Sequence, residues 1–130
     1  MSHAVAITIQ ALLADGGVAY VVGSRIWPGK AQQGTTDPHI VVTRISEDEP
    51  ILLNGSSCIT TSRVRIDCRA ETYTQAASLG EDVKTALRDM VGETILTKTV
   101  SFSKGISDVD GYSDNPELHH RTMDFYVEWR

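Results

Sequence analysis

Polar and apolar side chains alternate without a break in the stretch SRVRIDCRA, residues 62–70. One side of the stretch is apolar and carries Val64, Ile66, Cys68 and Ala70. The other side is charged and carries Arg63, Arg65, Asp67 and Arg69. Because successive side chains of a strand point to opposite faces, the pattern predicts a strand over residues 57–70 with one face in the core. Three arginines on the second face raise the question of what covers them, solvent or a partner surface.

The most regular helical pattern follows directly after this strand. Thr72 and Gln75 have the spacing of a capping box, which satisfies free N–H groups at the start of a helix. Apolar positions then recur at steps of three and four residues: Ala76, Leu79, Val83, Leu87 and Met90. The pattern predicts an amphipathic helix over about residues 73–91 that ends at Gly92.

The beginning of the chain predicts another helix, in residues 4–14. Its apolar positions have helical spacing: Val5, Ile9, Leu12 and Leu13. The sequence Asp-Gly-Gly at 15–17 breaks the run. Two readings are open for VAYVVGSRIWPG, residues 18–29. Propensity favours a strand, whereas the flanking glycines also allow a short helical turn that ends at Gly23, followed by a strand from Arg25.

Further strands are predicted at residues 39–46, 94–103 and 121–130. The first is β-branched and largely apolar on both faces, whereas the last alternates. The apolar side of the last strand carries Met123, Phe125, Val127 and Trp129. Its polar side carries Asp124, Tyr126 and Glu128.

Three stretches between these elements are rich in polar and turn-forming residues. Residues 28–38 and 46–56 are predicted to be loops, and Asn54-Gly55 in the second is a turn signal. Residues 104–120 are too polar to pack well and predict either a mobile loop or a hairpin extension.

The order of helix, strands, helix and strands predicts a single α+β domain over residues 1–130. In this fold a mostly antiparallel β-sheet carries the N-terminal helix and the long helix of residues 73–91 on one face. The chain has 130 residues, of which 41% are hydrophobic, so it can bury a core without a metal or a disulfide. The formal net charge of −5 argues against a general nucleic-acid binder and against an anionic membrane surface. No apolar run is long enough to span a membrane, and no membrane partner is expected.

Candidates for catalysis or metal binding do not have the spacing that such chemistry needs. The four histidines fall at the terminus or in predicted loops without a nearby ligand pattern: His3, His39, His119 and His120. The last two are expected to form a solvated pair. Cys58 and Cys68 would lie about 33 Å apart on one extended strand, too far for a disulfide. The stretch DVDGYSDNPE, residues 108–117, has its glycine and glutamate at the wrong positions for a calcium loop. We therefore predict no catalytic residue, no metal site and no cofactor, and expect an interaction or structural protein ahead of an enzyme.

The order of these signals resembles the phage tail-completion protein family. The resemblance runs from LLADGGVAYVVGSRIWP through DPHIVVTRIS and RVRIDCRAETYTQAASLGEDVKTAL to the final MDFYVEWR. Its most telling part is the Arg-Val-Arg-Ile-Asp strand, followed by Ala70, Thr72, Tyr73 and Ala76 at the start of the helix. None of these residues is catalytic, so the resemblance is one of pattern over nearly the whole chain.

The resemblance implies a structural virion protein of α+β fold that forms a ring, typically hexameric, on the end of a tail tube. Such a ring stops tube polymerisation and offers a docking surface to the head, while DNA passes through the lumen without specific binding. The implied partners are further copies of the chain, the tail tube protein and the head connector or neck proteins. The implied location is the virion, at the junction of head and tail, after assembly in the host cytoplasm.

Two sets of residues are candidates for contacts in such an assembly. Those for the subunit interface are the charged strand faces: Arg63, Arg65, Asp67, Arg69, Asp124, Tyr126 and Glu128. Those for loops that face the tail or the head are acidic: Glu47, Asp48, Glu49, Asp108 and Asp110. Alternatives are a head-completion or neck connector protein, and a small cytoplasmic module that binds a ligand or a peptide through its loops.

Overall fold

A computed structural model of the protein describes residues 3–48, 59–114 and 117–130. Its helices are α1 (His3–Ala14), α2 (Gly16–Val22) and α3 (Tyr73–Asp89). Its strands are β1 (Ile26–Pro28), β2 (His39–Asp48), β3 (Thr60–Ala70), β4 (Thr94–Ile95), β5 (Lys98–Asp114) and β6 (Glu117–Trp129).

The strands form a mixed, mostly antiparallel sheet in the order β1-β2-β3-β6-β5-β4. Only the pairing of β1 with β2 is parallel among the described strands. Helix α1 packs against β1, β2 and β3, and α3 packs against β3, β5 and β6. The predicted α+β class, with an N-terminal and a long helix on a mostly antiparallel sheet, is confirmed.

The core lies between the helices and one face of the sheet. The apolar side of β3 is fully buried, and so are Leu79, Val83 and Leu87 of α3. From β6, Met123 and Val127 join them. Each large apolar side chain that is removed from water stabilises the fold by about 1.5–3 kcal/mol. This burial explains why β3 and α3 have the most regular patterns in the sequence.

Helix α3 begins where the capping pattern places it. The Thr72 hydroxyl accepts a hydrogen bond from the Gln75 N–H at 3.2 Å, with Thr72 in extended backbone conformation. The helix ends at Asp89, and Gly92 beyond it has a φ of +88°, which a residue with a side chain rarely adopts. The predicted helix is therefore confirmed to within two residues of its end.

The second reading of residues 18–29 is the one observed. Asp15 caps α2 by accepting hydrogen bonds from the N–H groups of Gly17 and Val18 at 3.0 and 3.1 Å. The helix stops at Gly23, whose φ is +59°, and β1 starts at Ile26. The predicted N-terminal helix is confirmed as α1, in which Val5, Ile9 and Leu12 are buried and Leu13 is 37% exposed.

Two predicted boundaries were wrong, the first because of a turn and the second because strand pairing overrides local composition. Residues 94–103 do not form one strand, since Leu96 and Thr97 adopt positive φ and turn the chain between β4 and β5. Residues 46–48 belong to β2 and pair with β3, so Glu47 and Asp48 are strand residues. The rest of that predicted loop, with Asn54-Gly55 and Glu49, lies outside the described residues.

The polar stretch 104–120 is a hairpin extension, the second of its two readings. Strands β5 and β6 pair along their length, from Val100 opposite Trp129 to Asp114 opposite Glu117. Backbone pairing with β6 orders β5 although few of its side chains are buried. Asp108 and Asp110 therefore lie in a strand and not in a loop.

Cys68 is fully buried, and burial raises the pKa of its thiol. Cys58 lies outside the described residues.

Among the described helices no single one is long and apolar enough to cross a membrane. The pair of α1 and α2, bent by 89°, meets the criteria of length and composition together.

Candidate functional site

The charged face of β3 lies on the side of the sheet opposite the helices. We call this side the helix-free face. Strand register aligns its residues in rows across the sheet. Arg63 lies opposite Tyr126, which in turn lies opposite Lys104. In the next row Arg65 lies opposite Asp124. The face therefore brings together residues from β3, β5 and β6 that are distant in sequence.

Asp124 holds the centre of this face. Arg63 donates to its Oδ2 from Nε and Nη2 at 3.1 and 2.7 Å. Arg65 donates to Oδ1 at 2.9 Å and to Oδ2 at 3.2 Å. The Asp124 side chain is 2% exposed, and the hydrogen bonds from Arg65 and Arg63 lower the pKa of its carboxyl group against the opposing effect of burial. The same bond and charge raise the pKa of Arg65.

The cations around Asp124 outnumber it and are accessible. Arg65 has a side chain 47% exposed and Arg63 one 34% exposed. Lys104 is also exposed, and Tyr126, which lies between Arg63 and Lys104, is 40% exposed. We call Arg63, Arg65, Lys104 and Tyr126 the cation patch. With Asp124 beneath it the patch has three cations and one carboxylate, on a chain whose formal net charge is −5.

A second polar network lies further along the same face, around Asp67. Its carboxylate accepts from Arg69 at 2.8 Å and from the Thr122 hydroxyl at 3.1 Å, and it lies 3.2 Å from His120 Nδ1. The other ring nitrogen of His120, Nε2, lies 3.1 Å from Ser113 Oγ. The expectation of a solvated histidine pair was wrong, because β6 pairs with both neighbours here and holds His120 within this network.

The chain Ser113–His120–Asp67 has the connectivity of a nucleophile, a base and an orienting acid. Sequence spacing gave no sign of it, because the three residues come from three strands. Nucleophilic catalysis requires in addition donors aimed at the developing oxyanion. Here Asp67 is shared with Arg69 and Thr122, and the contacts of Asp67, His120 and Ser113 join β3, β5 and β6.

A third charged network was not predicted and lies on the opposite, helix-covered side. Arg121 has the same phase on β6 as the buried apolar residues and is itself only 9% exposed, although its side chain is charged. It donates to Asp108 at 2.9 and 2.6 Å, to Glu81 at 2.9 Å and to the Ala77 carbonyl of α3 at 2.6 Å. Arg121 and Lys84 hold the pKa of Asp108 far below its usual range. The network fastens α3 to the β5–β6 hairpin.

The remaining predicted contact residues that the structure describes lie outside the networks around Asp124, Asp67 and Arg121. Glu128 lies opposite Thr61, and the Ser101 hydroxyl donates to it at 3.3 Å. Glu47 accepts from the Ser62 hydroxyl at 2.9 Å, and Asp48 is exposed at the end of β2. Asp110 is exposed and accepts a hydrogen bond from the Tyr73 hydroxyl at 2.8 Å.

His39 lies at the start of β2, where it is buried beside Trp27, with ring centroids 5.6 Å apart. Burial lowers the pKa of the imidazole, and the bond from Nδ1 to the Asp37 carbonyl at 2.7 Å opposes this shift. In the described parts of the chain no three residues among His, Cys, Asp and Glu are grouped as metal ligands.

Comparisons with known proteins bear on what these surfaces serve. No curated protein matches the chain. A chain from the virion of a native gene transfer agent particle is similar in structure, with a TM-score of 0.69 and 17% sequence identity over 98% of each chain. This similarity shows that the two chains share a fold. A family model described as tail completion protein gp17 matches residues 7–127, from within α1 to within β6. The chain therefore belongs to the tail completion protein gp17 family, and its role is that of a structural protein of phage-type tails.

Proposed function

We propose that copies of the chain form a closed ring on the end of the tail tube, where the ring stops polymerisation of the tube and presents the surface that the head joins. The observation that carries the proposal is the cation patch. It is a positively charged, accessible cluster with an aromatic centre on an acidic chain, and membership of a tail completion family supplies the context.

One face of an antiparallel sheet is often solvated, so exposure alone would not require a partner. The composition of the cation patch favours one. Arginine and tyrosine are enriched in the centres of protein interfaces, where a planar guanidinium and an amphipathic ring make large contacts at low entropic cost. Asp124 also holds Arg63 and Arg65 in position, so little of their freedom is lost on binding.

A ring requires heterologous contacts, in which one surface of a subunit meets a different surface of its neighbour. Complementary charges on the two surfaces set the register and exclude wrong partners. The proposed partners are accordingly further copies of the chain, the tail tube protein below the ring and the head connector or neck proteins above it. DNA passes through the lumen without specific binding.

The test is deletion of the gene, followed by electron microscopy of the particles. The proposal predicts heads and tails that are made but not joined, or tails of uncontrolled length, and restoration by the wild-type gene. Tails of normal length beside defective heads would favour a neck or head-completion role. Normal infectious particles would overturn the proposal.

We further propose that the Ser113–His120–Asp67 chain is structural and that the protein is not an enzyme. Asp67 is already bound by Arg69 and Thr122, so its charge is not reserved for His120. A fluorophosphonate probe, which reacts with activated serine hydroxyls, is therefore expected to leave the purified protein unlabelled. Labelling that is lost in the Ser113→Ala variant would show an activated serine and contradict this assignment.

A further inference from the structure

We infer that the acidic end of the β5–β6 hairpin of one copy binds the cation patch of the next copy. The inference rests on the proposed ring and names the two surfaces that would join its subunits.

The acidic hairpin end is the group of exposed carboxylates at the far end of the sheet. It consists of Glu71, Asp110, Asp114 and Glu117. Strand β3 ends with Ala70 opposite His119, whereas β5 and β6 pair further, to Asp114 opposite Glu117. The hairpin thus projects past β3, and Glu71 follows the last residue of β3 at the same end of the sheet.

Cations near this end are already bound elsewhere in the chain. Arg69 is paired with Asp67, and Arg121 with Asp108 and Glu81. Among the described residues neither Asp114 nor Glu117 takes part in an ion pair. A cluster of exposed carboxylates on a projecting hairpin is a ready surface for a cationic partner.

The cation patch cannot bind the hairpin end of its own chain. Along β6 the residues Glu117 and Tyr126 are separated by roughly 30 Å at the rise of an extended strand. The two surfaces lie at different places on a rigid paired sheet, so complementary contact requires a second copy. Contact of this kind is heterologous, which is the type that generates rings.

Each surface also carries an exposed aromatic ring. Tyr112, which pairs with His119 beside the acidic hairpin end, is 54% exposed, and Tyr126 in the cation patch is 40% exposed. DNA is a less suitable occupant. Affinity for DNA depends on the number of phosphates that lysines and arginines neutralise, and the cation patch offers only three cations, two of which already share Asp124.

Charge reversal at two exposed positions tests the contact. Lys104 and Glu117 are exposed, and neither has a side-chain bond to a described residue, so Lys104→Glu and Glu117→Lys should leave the fold intact by circular dichroism. Each single variant is expected to weaken subunit association in purified rings or on tail tubes by about tenfold or more, and the double variant to recover most of the loss. The matched controls Lys30→Glu and Glu93→Lys make the same charge changes at exposed positions elsewhere and should leave association unchanged.

Disulfide cross-linking gives an independent test of the same pair of surfaces. In a Cys58→Ser background, Lys104→Cys and Glu117→Cys are made singly and mixed before mild oxidation. We expect a covalent dimer in the mixture, and a ladder of covalent oligomers from the chain that carries both cysteines. The pair Lys30→Cys and Glu117→Cys should give neither.

The outcomes separate this inference from the proposed ring. If rings form on tail ends but the charge-reversal variants assemble like the wild type and the cysteines do not cross-link, the inference fails and the ring stands. If Lys104→Glu reduces DNA binding in a filter assay and leaves association unchanged, the patch serves DNA and the inference is overturned. If no ring of wild-type subunits is found on tail ends, the proposed function fails as well.

Discussion

At the scale of single residues, Asp124 organises the helix-free face. Two arginines on one side of β3 would repel each other if no carboxylate lay between them. Asp124 accepts four hydrogen bonds from them and is almost completely removed from solvent. A buried carboxylate in this position stabilises the fold only while it is ionised and paired with the arginines, because an uncompensated buried charge is costly.

Asp124→Asn is expected to lower the free energy of unfolding by about 1–3 kcal/mol, the range for charged hydrogen bonds that are lost. Because the native pKa of Asp124 lies below the unfolded value of about 3.9, its contribution is complete above that value and is lost as pH falls through the native pKa. Urea unfolding should show a difference at pH 7 that shrinks below about pH 4. Glu128→Gln, on the same strand face, is the control. A difference that grows in acid would contradict the assignment.

His39 has the opposite chemistry, since it is a base held neutral by burial. Its native pKa lies below the unfolded value of about 6.5, so between these values the unfolded chain binds more protons and stability rises with pH. Arg69 and His120 act in the same direction as burial, and Asp67 opposes them.

The wild type should therefore lose stability as the pH falls from 7 to 5. The variant His39→Asn, whose amide can still donate to the Asp37 carbonyl, should show a flatter dependence over this interval. Equal slopes for the two proteins in urea unfolding at several pH values would show that His39 does not titrate differently on folding.

At the scale of elements, the junction of α3 with the β5–β6 hairpin depends on a glycine. A Cβ at Gly80 would collide with the end of the Arg121 side chain, with Nε and Nη1 at 2.8 Å. Arg121 has no room to move, because Asp108, Glu81 and the Ala77 carbonyl already hold its guanidinium. Absence of a side chain at Gly80 is thus what lets an arginine lie between a helix and the sheet.

Replacing glycine by alanine inside a helix normally stabilises it by up to about 1 kcal/mol. For Gly80→Ala we expect a net loss, since overpacking costs about 1–3 kcal/mol and the bonds of Arg121 are weakened as well. In an Arg121→Met background the same substitution should become neutral or stabilising. Thermal unfolding of the four proteins measures the cycle, and stabilisation in the wild-type background would contradict the packing argument.

The elements that sequence predicted well are those whose pattern reports burial directly. Strand β3 and helix α3 each bury one regular face, and the periods of two and 3.6 follow from that. The hairpin was ambiguous because residues 104–114 are mostly exposed and are ordered by backbone pairing with β6, which composition does not reveal. The break at Leu96 and Thr97 lacks the glycine or asparagine that turns of positive φ favour.

The candidate site was predicted in part for a related reason. The arginine face of β3 follows from local alternation, and Asp124 was expected to lie near it. That Asp124 binds both arginines within its own sheet, and that Lys104 completes the cation patch, depends on the register of three strands. The burial of Arg121 could not be predicted from the sequence, because a charged residue at an apolar phase can be buried only where distant carboxylates pair with it.

At the scale of the whole molecule, charge is distributed unevenly. The cations of the helix-free face lie near the middle of β3, and exposed carboxylates gather at the end of the hairpin. A chain with two complementary surfaces that cannot meet within one copy is suited to heterologous contacts between identical copies. Because the chain belongs to a tail completion family, the proposed contacts between copies would form in the virion.

The most direct test of the account is a cryo-electron microscopy reconstruction of the tail end in intact particles. The account predicts a closed ring of copies of this chain on the last ring of the tube, with the acidic hairpin end of each subunit against the cation patch of its neighbour. A tail end that carries a single copy of the chain, or a ring whose subunits leave both surfaces in solvent, would contradict it.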